Sequence, residues 1–372
     1  MRYRAILTVL MTVALASTCY AFYTGSTDPL DLIGQPEIPE SNKTYDSLGF
    51  QDLLDVPAAK SALAVKSLLN GVTLAGNRLV CVGIHGHIIY SDGSGKSWTQ
   101  AKVPVSSDLT AVSFPTAKSG WAVGNDGVVL HSEDGGATWI KQFDARAAAQ
   151  VVKTYYTQNA VTGSERFIQR FSEDGGQDKV ILDVWFQDET TGFIVGDFNL
   201  IFQTTDGGKS WVPWNHLIDN PKNLHIMAIR KIGQDLFISG ERGLLLKLDT
   251  KTGKFAALPS PYSGSFFGIT GKPGTLVAFG LRGHIFVSRN GGSSWKEVNS
   301  GTDLGLMGGT VTEDGRIVLV SSTGQILVSV DDAVSFKLFV QSNPIPASAV
   351  NAIGKDKLAI VGLSGIQLQP LK

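Results

Sequence analysis

From Gly71 to Lys372 the chain strings short apolar runs between polar turns, and the runs follow one order seven times. An apolar run ends in a Gly-x-x-Gly turn, a second run follows, and a Ser- or Thr-led turn closes on an aromatic residue. In the third unit Ile181 to Phe186 alternates apolar with polar, Gly192 to Val195 is a short apolar run, Leu200 to Thr204 alternates again, and Trp211 to Trp214 opens a fourth segment. Alternation over so short a length marks strands, and helical spacing fits none of the four.

The register is set by the first residue of each turn: Gly83, Gly124, Gly196, Gly240, Gly280, Ser321 and Gly362, with successive differences of 41, 72, 44, 40, 41 and 41. The fourth turn position is Gly86, Gly127, Asn199, Gly243, Gly283, Gly324 and Gly365; Asn199 departs, and asparagine tolerates left-handed backbone nearly as well as glycine. A period of about 40–45 residues with four strands per unit predicts propeller blades, so the fold class is all-β, a seven-bladed β-propeller. The seventh unit ends without a fourth strand. The spacing therefore predicts that an N-terminal strand, Phe50 to Val56, completes the last blade and clamps the ring.

The long interval holds an insertion over about 144–179. Asp144 to Tyr156 has helix-forming content, and Ser164 to Ser172 places Phe167, Ile168 and Phe171 at helical spacing, so a helical hairpin is expected. Propeller connectivity puts this insert on the same rim as the Gly-x-x-Gly turns. The dipeptides inside those turns bring Arg242 and Arg282 side by side on blades four and five, with His284 near them and His85 and His87 on a distant blade. A guanidinium fork suits a carboxylate or an acidic loop. The partner-binding set expected on this rim is thus Arg242, Arg282, His284, His85, Phe167 and Phe171; the two phenylalanines either pack on the propeller or wait for a partner. The histidines lack a convincing metal spacing, and no metal site is assigned.

Composition adds bounds. With 372 residues, 43% hydrophobic and 17% charged, the chain can bury a large core, and 42 glycines supply its turns. A net charge of −1 gives no basic face for nucleic acid. Of two cysteines, Cys81 sits in an apolar strand and is expected to be a small buried hydrophobe. Arg2 and Arg4 precede an apolar stretch from Ala5 to Ala16, too short for a membrane span, which predicts a signal peptide over 1–21; an uncleaved N-terminal membrane anchor is the alternative. A linker over 22–45 then leads to the propeller at 46–372.

The sharpest local motif is Ser/Thr-x-Asp-x-Gly-x-Ser/Thr-Trp, complete at Ser132 to Trp139 and Thr204 to Trp211, with Asn290 replacing the aspartate in Ser288 to Trp295. Turn chemistry explains it: Asp134, Asp206 and Asn290 accept backbone N–H groups, and Trp139, Trp211 and Trp295 bury between blades. This is the Asp-box of the bacterial neuraminidase repeat, so a periplasmic glycosidase or carbohydrate-binding propeller is one reading. Sialidase chemistry wants an arginine cluster, a Tyr–Glu pair and an acid/base Asp, and the chain has no Phe/Tyr-Arg-Ile-Pro segment.

The full repeat, best developed from Val123 to Gly136 and from Phe193 to Trp211, resembles the photosystem II assembly and stability factor family of seven-bladed propellers. The resemblance spans about residues 69 to 371. It implies a secreted scaffold without catalytic activity that binds a membrane or envelope protein client, with no catalytic residues, no cofactor and no nucleic acid. It also implies a periplasmic site, or the thylakoid lumen in a photosynthetic organism. A monomer is expected.

Overall fold

The computed structural model describes residues 51–372 except 93–94, 162–164, 174–178 and 372. The signal peptide and linker expected at the N-terminus lie outside the described residues. From Leu53 onward the chain forms one compact unit of seven antiparallel sheets, each sheet in strand order along the chain.

In blade 3 the strands are Ile181–Phe186, Gly192–Gly196, Ile201–Thr204 and Val212–Pro213. Second strands such as Gly120–Gly124, Gly192–Gly196 and Ile317–Ser321 are buried at every residue. Sandwiching between neighbouring blades makes both of their faces core, which is why the sequence shows continuous apolar runs there and alternation elsewhere. Each inner strand carries a register irregularity after its first residue. Beyond it stand Gly71, Ala111, Asp183, Ala228, Gly268, Gly308 and Ala349, small in every blade but the third. The outer strands are two to four residues long, for example Thr99–Gln100 and Lys254–Ala257.

The Gly-x-x-Gly turn works by close approach as much as by backbone freedom. A Cβ on the first glycine would strike the carbonyl that precedes the inner strand: Leu68 at 2.2 Å from Gly83, Asp108 at 2.1 Å from Gly124 and Val180 at 2.1 Å from Gly196. The second glycine abuts the connection entering the next blade, as Gly86 does against the Val105 carbonyl at 2.1 Å.

Ring closure differs from the sequence expectation. Blade 7 consists of Ala347–Ile353, Lys357–Gly362 and Gly365–Pro370, and among the described residues no fourth strand joins it. Phe50 lies outside the described residues. Leu53–Asp55 is a short 3-10 turn seated on blades 1 and 2: Ser106 N donates to the Leu53 carbonyl (2.8 Å), Lys141 Nζ donates to the Leu54 carbonyl (3.0 Å), and Leu54 packs with Val103 and Val105. The segment has one buried apolar residue beside Asp55 and Pro57 rather than an alternating face, so it fills a groove instead of pairing along an edge.

The seam is closed one element later. Ala64 and Val65 pack with Leu69, Cys81 and Ile89 of blade 1 and with Ala349, Val361 and Ile366 of blade 7. A Cβ on Gly365 would stand 2.0 Å from the Val65 carbonyl oxygen. Residues 64–66 thus occupy the place that the inter-blade connection takes at the other turns. Burial also pushes the Cys81 thiol well above its usual range.

Two helices fill the insertion, α1 (Ala145–Asn159) and α2 (Glu165–Glu173). Asp144 caps α1 by accepting from Ala147 N at 3.0 Å. Asp144 and Asp55 share the cations Lys141 and Arg146, tying the entry segment to the helix. Ala148, Val152 and Tyr156 of α1 and Phe167 and Phe171 of α2 join one core with Phe143, Phe202 and Trp211.

Candidate functional site

Five of the seven turns share a backbone form. Gly83 and its equivalents are extended, and the second dipeptide residue is left-handed: His85 (φ 57°), Asp126 (58°), Phe198 (44°), Arg242 (50°) and Arg282 (55°). The following glycine, or Asn199, is left-handed too, and His87 N returns a hydrogen bond to the Ile84 carbonyl (3.0 Å). Two consecutive left-handed residues make a type I′ hairpin turn, whose twist matches the strands it joins. Each tip side chain is therefore held at an equivalent point on one rim.

Successive tips on blades 3, 4 and 5 are linked by a ring contact and then by hydrogen bonds. The Phe198 ring lies 4.3 Å from that of His225. His225 N donates to Glu241 Oε2 (3.3 Å), and Glu241 N donates to the His225 carbonyl (3.0 Å). Ser265 then bridges the next pair, since Arg242 N donates to its Oγ (3.5 Å) and Leu281 N to its carbonyl (3.0 Å). Arg242 and Arg282 are exposed. Among the described residues neither guanidinium enters a hydrogen bond or ion pair, whereas Arg78, Arg146, Arg170, Arg230 and Arg316 all pair with carboxylates of the fold.

His284 follows the blade 5 turn, with Nδ1 2.6 Å from Glu297 Oε1 and its ring 4.5 Å from that of Tyr262. Burial raises the Tyr262 phenol while the Arg282 charge opposes the shift; the net direction is upward. Tyr262 thus lies against His284 and within reach of the Arg282 charge, while Arg242 stands at the equivalent tip of the preceding blade. His85 stands across the ring on blade 1, where its N–H donates to Asp108 Oδ1 (2.7 Å) and its ring lies 6.1 Å from that of His87.

Phe167 and Phe171 depart from the partner-binding expectation. They are 8% and 1% exposed and face inward, because the hairpin has no other core and its apolar stripe must be covered by blade 3. What α2 presents to the rim is Arg170. Its guanidinium lies 4.1 Å from the Phe198 ring centroid and donates to the Phe198 carbonyl (3.0 Å) and to Asp197 Oδ2 (3.1 Å). The sequence reading missed Phe198, Arg170, His225 and Tyr262. The available signal was Phe198 itself, a bulky residue in a turn slot that calls for left-handed backbone.

The Asp-box residues lie in the turns between third and outer strands. Asp134 accepts from Ala137 N (2.9 Å), Thr138 N (2.9 Å) and Thr138 Oγ1 (2.7 Å), and Asp206 accepts from Ser210 N (2.9 Å) and Ser210 Oγ (2.6 Å). Asn290 takes the same place, accepting from Ser294 N at 2.9 Å. Trp139 and Trp211 are buried, and Trp295 is partly so. Each of these carboxylates is engaged within its own loop, on a different blade, which is not the paired arrangement that glycoside hydrolysis needs. Among the described residues no three His, Cys, Asp or Glu side chains are grouped to hold a metal ion.

Comparison with known proteins identifies the lineage. The family model described as "Photosynthesis system II assembly factor YCF48" matches residues 90–173 and 172–336. "Photosystem II assembly lipoprotein Ycf48" of Synechococcus sp. (strain CC9902) is 31% identical over 128 residues, 31% of this chain and 35% of that protein. "Photosystem II stability/assembly factor HCF136, chloroplastic" of Guillardia theta is 35% identical over 72 residues, 19% of this chain and 18% of that one. The chain thus aligns with about a third or less of the length of these two relatives. Among solved structures, "YCF48 bound to D1 peptide" superposes with a TM-score of 0.63 at 16% identity, covering 87% of this chain and 99% of that one. "YCF48 from Cyanidioschyzon merolae" gives 0.62 at 13% identity, covering 84% and 98%. These likenesses show the seven-bladed fold, and the family match shows the descent: the chain belongs to the photosystem II assembly factor family.

Proposed function

We propose that this member of the assembly factor family is a non-catalytic scaffold, exported across the inner membrane, that holds a segment of a membrane or envelope protein on the rim of blades 3 to 5. Arg242 and Arg282 receive a carboxylate of that client. The observation that carries the reading is the pair of exposed guanidiniums at equivalent turn tips, left without ion-pair partners among the described residues, whereas Arg78, Arg146, Arg170, Arg230 and Arg316 are ion-paired. Two adjacent forks bind a carboxylate with both charge and geometry. A relative described as bound to a D1 peptide makes a peptide the natural first occupant.

The test is fluorescence anisotropy with that D1 peptide, carrying either a free or an amidated C-terminus. Exposed ion pairs contribute up to about 1 kcal/mol each, so Arg242→Ala and Arg282→Ala should each weaken binding by up to about fivefold, and amidation should mimic the double variant. Equal affinity of the double variant and the unmodified chain would remove the arginines from the site.

A further inference from the structure

We infer that Phe198 is the apolar anchor of this rim, and that the partner is an extended peptide combining a carboxylate with a leucine-like or aromatic side chain. The inference rests on the rim reading given above.

The backbone supplies the first argument. Phe198 has φ 44° and ψ 51°, and Asn199 follows at φ 68°, so two consecutive residues with side chains are left-handed, a conformation that asparagine tolerates and phenylalanine does not favour. Asn199 is compensated: it is buried, Asn220 Nδ2 donates to its Oδ1 (2.9 Å), and its N–H donates to the Leu224 carbonyl (3.1 Å). Phe198 is not compensated by burial, for it is 48% exposed. A bulky residue in left-handed backbone is rare, and such strain collects where a side chain must be presented.

The second argument is that the ring is fixed rather than loose. Arg170 covers it at 4.1 Å, His225 packs against it at 4.3 Å, and the Asp197 carboxylate anchors Arg170. An aromatic side chain restrained in this way offers contact area at little cost in side-chain entropy, the property that makes aromatics dominate binding interfaces. The third argument is continuity: a ring contact from Phe198 to His225 and hydrogen bonds through Glu241 and Ser265 set Phe198, Arg242 and Arg282 on successive blades of one rim. An aromatic end followed by two cations is complementary to an apolar residue followed by a carboxylate.

Two synthetic peptides with the same free C-terminus, one with leucine and one with serine a few residues upstream, would be titrated against the whole chain. The leucine peptide should bind at least tenfold more tightly. Phe198→Asn, which suits the left-handed turn, should match or exceed the parent in thermal stability, lose that tenfold preference and keep its affinity for the serine peptide. Phe198→Tyr should retain the preference. If Phe198→Asn keeps the preference while Arg242→Ala weakens binding of both peptides, the anchor is refuted and the rim reading stands. If the parent binds neither peptide, both are refuted.

Discussion

Closing the ring through residues 64–66 makes a quantitative demand on Gly365. Its φ is 89°, and a Cβ there would lie 2.0 Å from the Val65 carbonyl oxygen and 2.8 Å from Lys66 Cα, against 3.4–4 Å for ordinary contact. Gly253 is a control within the same chain, with φ 67° and nothing within 4 Å of the added carbon. Gly253→Ala should cost about 1 kcal/mol, the left-handed penalty of about 1–2 kcal/mol less the gain from a stiffer unfolded chain. Gly365→Ala carries that same term and must also displace Val65 and Lys66, unseating Ala64 from the shared cluster of blades 1 and 7; overpacking of this kind adds about 1–3 kcal/mol. Urea unfolding followed by tryptophan fluorescence measures both. A loss for Gly365→Ala about two to four times that of Gly253→Ala is expected. Equal losses would show that residues 64–66 do not seal the ring.

Other perturbations test other levels of the fold. Burial lowers the pKa of His131, His87 and His216, so below about pH 6.5 the unfolded chain takes up protons before the folded one. The contribution of these histidines to stability should therefore fall from pH 7 toward pH 5, opposed by the raised pKa of buried Asp183 and Asp197. His131→Phe, which keeps a ring stacked on Trp121, should flatten that slope in thermal melts. Asp206→Ala frees the Ser210 N–H and hydroxyl and should cost about 1–2 kcal/mol in urea titrations, whereas Asp206→Asn should lose less. Asp183→Gly restores the small residue found in the other blades but strips the buried Ile229 N–H (2.8 Å) and Arg230 of their acceptor. A loss of about 1–3 kcal/mol is expected, and a stabilised variant would contradict it.

How much of this the sequence disclosed depends on whether a feature repeats. The turn and Asp-box recur with a nearly constant spacing, so blade number, strand order and the insert helices are legible in the sequence, as is the position of Arg242 and Arg282 at equivalent turn tips. Closure occurs once, and no repeat announces it. The segment expected as a strand has suitable length, yet within its described part a single buried side chain, Leu54, beside Asp55 and Pro57 seats Leu53–Asp55 in a groove on blades 1 and 2. Phe167 and Phe171 were legible as a helical stripe, but which way it faced was not, because that depends on the core opposite, Phe143, Phe202 and Trp211, far along the chain.

A repeat protein carries its own controls, since each position is sampled in up to seven nearly equivalent environments, and local rules broken without compensation mark sites under another demand. Blade 3 breaks them three times. Asp183 stands where the other blades have glycine or alanine, but it binds Arg230 and the Ile229 N–H. Asn199 replaces glycine, but Asn220 and the Leu224 carbonyl secure it. Phe198 shares its left-handed tip with a histidine, an aspartate and two arginines, polar side chains that solvent accepts. Its ring is half exposed, and the Arg170 and His225 that hold it do so without hiding it. Folding alone accounts for the first two substitutions; for the third it accounts for how the ring is held in place, and a partner's apolar side chain accounts for why it is there.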